Sequence, residues 1–340
     1  MKTKPKLIII GAGLSGLYCA YLLQNDYEVT ILEARSRMGG RVLGVGEHDL
    51  GPSWIWSHQK NILQLVDELG LELFTQHTEG MALYDTPAGI QEFTPPPQAP
   101  SARITGGIIR LVEALYLKLD KHVLHFNEVV TAISSSDDKL NVTTQTGSYT
   151  ADKVISTLPP RLALQNIKYS PDLDSKTKLT MQNIPTWMGH ASKCVIEYKN
   201  AFWQSQGRSG FAFSPLGPLS EIHDACTQNH AALFGFALKG GDEKTIKQDI
   251  ISQLVRIFGE DAEDFSDFHL IDWKKEPFSS TADDALGLTA HPNYGLSITH
   301  FNHQLFFSGT ETALDEGGYL EGALISADQT AKELLNTSKK

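Results

Sequence analysis

The chain is poor in cysteine: Cys19, Cys194 and Cys226 are all it has in 340 residues, and none stands in a CxxC pair. That excludes a disulfide framework and a cysteine-based zinc site, and it fits a reducing compartment. Basic residues are outnumbered, 29 Lys and Arg against 40 Asp and Glu, for a formal net charge of −11. Neither nucleic acid nor an anionic membrane surface is an expected partner for such a chain. No stretch reaches the ~18 to 20 apolar residues of a membrane span. Lysines ahead of Leu7–Ile10 imitate a secretory leader, but the apolar run is short and continues into a glycine turn, so a cytoplasmic location is expected. There is no GxSxG elbow, no Walker loop and no HExxH. The 41% hydrophobic and 20% charged content is that of an ordinary globular protein, long enough for two domains.

What the chain does have is concentrated in residues 7–42, LIIIGAGLSGLYCAYLLQNDYEVTILEARSRMGGRV. Leu7 to Ile10 read as a buried parallel strand, followed by Gly11, Gly13 and Gly16 at the spacing of a dinucleotide fingerprint. Gly11 permits a tight turn, Gly13 lets a pyrophosphate approach bare backbone, and Gly16 lets the next helix pack close to the strand. That helix, running to about Asn25, offers unpaired N–H groups to a diphosphate. A second strand, Tyr27 to Leu32, ends at Glu33, placed to accept hydrogen bonds from a ribose diol. Leu14 and Ser15 at the helix start, with Ala34 and Arg35 after the acid, belong to the same expected lining. Glycine-rich turns also occur in plain α/β packing; here strand, helix and terminal acid accompany the turn. Arg35, Arg37 and Arg41 flank the Gly39-Gly40 pair, where a solvated turn suits Arg37 and a phosphate contact suits Arg41.

Further on, an amphipathic helix is expected from about Asn61 to Leu69, and residues 86–100, with five prolines, read as an irregular connector. A helix at about 108–119 precedes strands at 123–126, 128–134, 140–144 and 154–157, with Asp137-Asp138 as a turn. From about Met181 the pattern changes to alternating strands at Lys193–Tyr198 and Ala231–Leu238, a helix at 242–258 and a strand near His269–Trp273. Gln304–Ser308 is again an apolar strand, and the glycines at 317–322 open the last helix. His300-Phe-Asn-His303 has a metal-like spacing but reads as a solvated hairpin. Trp187, Trp203 and Trp273 read as core, while Trp54 and Trp56 remain open.

The fingerprint with Arg37-Met-Gly-Gly-Arg41, ADKVISTLPP at 151–160 and FFSGTETALDEGGYLEGALISA at 306–327 fall in an order that resembles the flavin-containing amine oxidase superfamily. GHASKCVIEYKNAFW at 189–203 is similar to monoamine oxidases in particular. The resemblance implies FAD as cofactor, held by the fingerprint residues together with Gly40, Arg41, Val129 at the adenine, Gly309, Glu311 and Tyr319. It implies that Lys193 holds a water near the reactive flavin nitrogen, where the plain alternative is a strand lysine facing solvent. A helix starting near Gly318 would aim its positive end at the flavin. Two departures stand out. Ala282 occupies the position where monoamine oxidases carry the flavin-attaching cysteine, so FAD is expected to be non-covalent. Asp283 takes the place of one tyrosine of the aromatic pair whose partner matches Tyr319, and it is expected either to bind a distant cationic group or to face solvent. The region between Trp54 and Gly106 is also too short for the family's helical cap.

The expected fold is α/β: an FAD-binding Rossmann-like domain (1–74, 102–180 and 271–340) with an inserted α+β substrate domain (75–101 and 181–270) built on an antiparallel sheet. Hydride transfer from the C–N bond of an amine substrate to FAD is the expected reaction, with Lys193 and Tyr319 at the reacting end, Asp283 grouped with them as the third expected catalytic-site residue, and O2 as acceptor. Two rivals are a flavin desaturase or dehydrogenase acting on C–C bonds, and a catalytically weak flavin-binding accessory protein.

Overall fold

The computed structural model describes residues 4–97, 99–136, 138–237, 244–286, 288, 290–292, 294–295 and 298–337. Asp137, Leu238 and residues 242–243 of the expected elements lie outside the described residues. Strand β1 (Lys6–Ile10), helix α1 (Leu14–Leu23) and strand β2 (Glu28–Leu32) form the expected first unit. Their sheet has six strands, ordered Leu124–His125, β2, β1, Lys153–Ser156, Leu305–Phe307 and Thr299–His300. The first five run parallel and the last is antiparallel. Both faces are covered, which is why these strands are nearly continuous in Ile, Leu, Val and Phe. On one face α1 packs with the helices Lys60–Glu68, Ile109–Tyr116 and Leu320–Thr337. On the other lies a four-stranded sheet contributing Val130, Ile133, Leu140 and Val142.

The second large sheet has seven strands in the order Phe265–Asp272, Ser192–Tyr198, Ala231–Ala237, Glu221–Asp224, Arg208–Phe213, Met81–Thr86 and Gly89–Phe93. It is antiparallel except where Arg208–Phe213 meets Met81–Thr86. Period-two alternation divides its faces. Cys194, Ile196 and Tyr198 lie in the core beneath the helix Ile246–Phe258. Val195 joins Leu50, Phe234 and Trp54 in the opposite cluster, against the nucleotide domain.

One expectation fails here. The proline-rich connector is not irregular throughout, because Gly89–Phe93 forms a strand paired with Met81–Thr86. Those residues fall between Pro87 and Pro95, so the segment itself contains no proline, and it occupies the sheet edge, where only one side needs hydrogen-bond partners.

Candidate active site

The turn after β1 is shaped by the glycines. Gly11 has φ +100°, and a side chain there would strike Thr157 Oγ1 at 2.7 Å. A Cβ on Gly16 would lie 2.0 Å from the Gly11 carbonyl. Gly13 is different: among the described residues a Cβ there would meet nothing closer than the Gly39 carbonyl at 3.9 Å, so its bare backbone borders open space. Gly13 caps α1 with no side-chain hydrogen bond, leaving the first-turn N–H groups directed outward. Glu33 accepts from Ala12 N at 2.8 Å and from Arg35 N at 2.9 Å, which fixes its carboxylate at the end of β2.

A cavity of ≈1170 Å³ begins at this turn and continues to the seven-stranded sheet. Small-molecule sites usually measure ~300–1,000 Å³, so a dinucleotide and a substrate can share it. Gly11, Gly13, Leu14, Ser15, Glu33, Ala34, Arg35, Gly40 and Arg41 line one end, with Val129 and Gly309. Lys193, Phe236, Glu221 and Phe213 line the other. These four form one transverse row: Lys193 pairs with Phe236, Phe236 with Glu221, and Glu221 with Phe213. Strands are ~4.8 Å apart, so the backbone positions of Lys193 and Glu221 are separated by about 10 Å.

Lys193 is 2% exposed. Its ammonium donates to the Gly51 carbonyl at 2.8 Å and to Ser53 Oγ at 2.6 Å, and it lies 4.3 Å from the Phe234 ring centroid. Burial pulls its pKa down to about 7, against the opposing charge of Asp49. Asp49, itself buried, is pushed up by desolvation. Two strands along the row, the hydrogen bond from His223 holds Glu221 below the usual carboxylate range. Tyr319 lies in the cavity wall edge-on to Trp56, with ring centroids 6.0 Å apart.

A family model described as flavin-containing amine oxidoreductase matches residues 91–335, and one for an NAD(P)-binding Rossmann-like domain matches residues 9–69. The chain belongs to the flavin-containing amine oxidase family. It is 25% identical to amine oxidase A of Canis lupus familiaris, covering 97% of this chain and 85% of the relative. A probable monoamine oxidase A of Dictyostelium discoideum is 24% identical over 98% of each. Both alignments run over 452 positions, longer than this chain, so these relatives carry insertions that it lacks. Cyclohexylamine oxidase from Brevibacterium oxydans shares the fold at TM-score 0.85 and 17% identity, covering 99% of this chain and 100% of that one. Putrescine oxidase bound to putrescine does so at 0.83 and 18%, covering 98% and 99%.

The residues at the nucleotide end fit the family's flavin: open backbone at Gly13, an oriented acid and an uncapped helix start converge on one groove. Gly16 serves packing and does not reach the cavity. Arg37 donates to the Met38 and Gly40 carbonyls and so braces the glycine pair. Arg35 is held by Glu276 and Ser279.

Two expected residues are placed elsewhere. Glu311 does not line the cavity; it is 1% exposed and forms a two-pronged ion pair with Arg41, at 2.5 and 3.0 Å. Asp283 is exposed and outside the cavity wall, while Ala282 is in it. In the short 3-10 turn Ala282–Ala285 it is Asp284 that points inward, to Arg161, Thr186 N and Thr281. Trp203 is core as expected, but Trp187 and Trp273 line the cavity, as do Trp54 and Trp56. Glu221, a cavity-lining acid outside the expected set, sits on a strand only four residues long, too short for its alternation to mark a face. The His300–His303 segment is the turn between Thr299–His300 and Leu305–Phe307.

Proposed function

We propose that this enzyme oxidises the C–N bond of an amine with non-covalently bound FAD, using O2 as acceptor and releasing the imine to hydrolysis by water. FAD supplies the hydride acceptor and the path of electrons to O2. The observation that carries the reading is the buried Lys193, in the wall where the nucleotide groove meets the substrate-domain row. With two of its three protons given to Gly51 and Ser53, the third can hold a water in the cavity. The reacting amine must be neutral to give up hydride, and a carboxylate beside it would favour the ammonium. Among the described residues, the carboxylates in the cavity wall are Glu33 and Glu128 toward the nucleotide, and Glu221 beyond Phe236. Glu221 is therefore suited to a second, distant cationic group, with Phe236 and Tyr319 flanking the carbon chain. Substrates of this shape are extended amines with a positive charge at the far end.

The test is turnover in air with a panel of monoamines and diamines, reading aldehyde, ammonia and hydrogen peroxide together. Equal amounts of all three support the proposal. Loss of amine without peroxide would assign another acceptor, and no product from any amine would remove the assignment.

A further inference from the structure

A second group of side chains lies outside the cavity, on the same strand face as Lys193. Glu197 is four residues along Ser192–Tyr198 and points to the same side. Three imidazoles surround its carboxylate: His48 Nε2 at 3.9 Å, His230 Nδ1 at 3.7 Å and His269 Nε2 at 3.5 Å. The ligand atoms of His48, Glu197 and His230 all lie within 4.8 Å of one another. At 3.7 and 3.9 Å the His230 and His48 contacts are too long for hydrogen bonds. Two ligands of a tetrahedral zinc ion, each bonded at ~2.0–2.1 Å, stand ~3.3–3.4 Å apart, so small rotations close the set around an ion.

His48 supplies the independent sign. It is 1% exposed, and among the described residues neither ring nitrogen completes a hydrogen bond of good geometry, the Ala225 backbone offering only a weak one. A buried imidazole with both nitrogens unpartnered is costly unless something fills the place of the partner. The flavin reaction makes no use of it. The neighbouring Arg103 is itself balanced by Asp49 and Asp224.

We propose that His48, Glu197 and His230 bind a Zn²⁺ ion, with His269 orienting the Glu197 carboxylate and water at the open position. Two imidazoles and one carboxylate suit zinc better than magnesium or calcium, which prefer oxygen. The surroundings are built for it: Glu47 accepts hydrogen bonds from Thr227 and Asn229, fastening the hairpin that carries His48 to the turn that carries His230. The ion would tie the hairpin Gly44–Asp49 of the nucleotide domain to the substrate sheet. Gly51 and Ser53, which hold Lys193, follow closely in the chain.

Zinc chloride titrated by calorimetry into untagged, flavin-loaded enzyme, stripped beforehand with a chelator and desalted, tests this. Wild type binds about one equivalent, while His230→Ala and Glu197→Gln each weaken binding by more than ~100-fold and His269→Ala by ~10- to 100-fold, the loss typical of an outer partner. His230 is half exposed, so its variant keeps the fold, which flavin content verifies. Absence of zinc binding in the wild type, or undiminished binding in His230→Ala, overturns the proposal.

Discussion

Lys193 Nζ stands 2.6 Å from the Ser53 hydroxyl, a hydrogen bond from the substrate sheet to a loop of the nucleotide domain. Under the proposed function, a cation fixed there would favour electron transfer to dioxygen once the flavin is reduced. Lys193→Met is expected to slow reoxidation by one to several orders of magnitude while leaving flavin content nearly unchanged. Stopped-flow mixing of reduced enzyme with oxygenated buffer checks it.

The same lysine sets a pH dependence. Burial lowers its pKa from the ordinary 10.5 to about 7, so the charge is present below about pH 7 and lost above it. Reoxidation in the wild type should fall as pH rises through 7, and the fall should be absent from Lys193→Met. Stability moves the other way: between about 7 and 10.5 the unfolded chain holds a proton that the folded chain has released, so stability attributable to this group rises with pH over that window. Urea denaturation at pH 7 and 9.5 on both proteins measures the difference.

Glu221, not Asp283, is expected to select substrates. Glu221→Gln should lower the diamine-to-monoamine ratio of kcat/KM by about 10- to 100-fold, the size of a lost charge-assisted hydrogen bond of ~1.5–3 kcal/mol. Asp283→Asn should leave the ratio unchanged, since the side chain lies outside the cavity. Equal ratios in wild type and Glu221→Gln would remove the distal-cation assignment.

Arg41 and Glu311 should respond unequally to truncation. Arg41 is 29% exposed, whereas Glu311 is 1% exposed and has Arg41 as its ion-pair partner. Arg41→Ala strands a buried carboxylate and should cost about 3–5 kcal/mol in denaturant unfolding. Arg41→Lys should recover part of that loss, because it keeps the charge and gives up the two-pronged geometry.

The flavin should come away in acid. Ala282 lines the cavity, and the buried thiols of Cys19 and Cys194 are pushed up to about 12. Acid precipitation should give a yellow supernatant over a colourless pellet; colour retained in the pellet would show a covalent bond.

Legibility followed the range of the interaction. The glycine turn, α1 and Glu33 are local geometry, written within 27 residues from Leu7 to Glu33, and Lys193 sits in an alternating strand whose neighbours mark its faces. Glu221 depends on register: it reaches the cavity because Phe236 lies between it and Lys193, and no spacing within the chain reveals that pairing. Asp283 and Asp284 are adjacent acids in a short turn, and Asp284 faces inward through a local capping box with Thr281 together with an ion pair to Arg161, more than a hundred residues earlier. Gly89–Phe93 was obscured by surrounding prolines that in fact bracket it. Glu311 matches a family motif, yet its carboxylate is occupied by Arg41, a contact that only the folded chain displays.

The most direct measurement is the flavin absorbance of the enzyme mixed anaerobically with a diamine. The oxidised flavin band should be lost at a rate that saturates with amine concentration, and should return on admitting oxygen. An oxidised spectrum that no amine bleaches, in protein that dithionite still reduces, would contradict it.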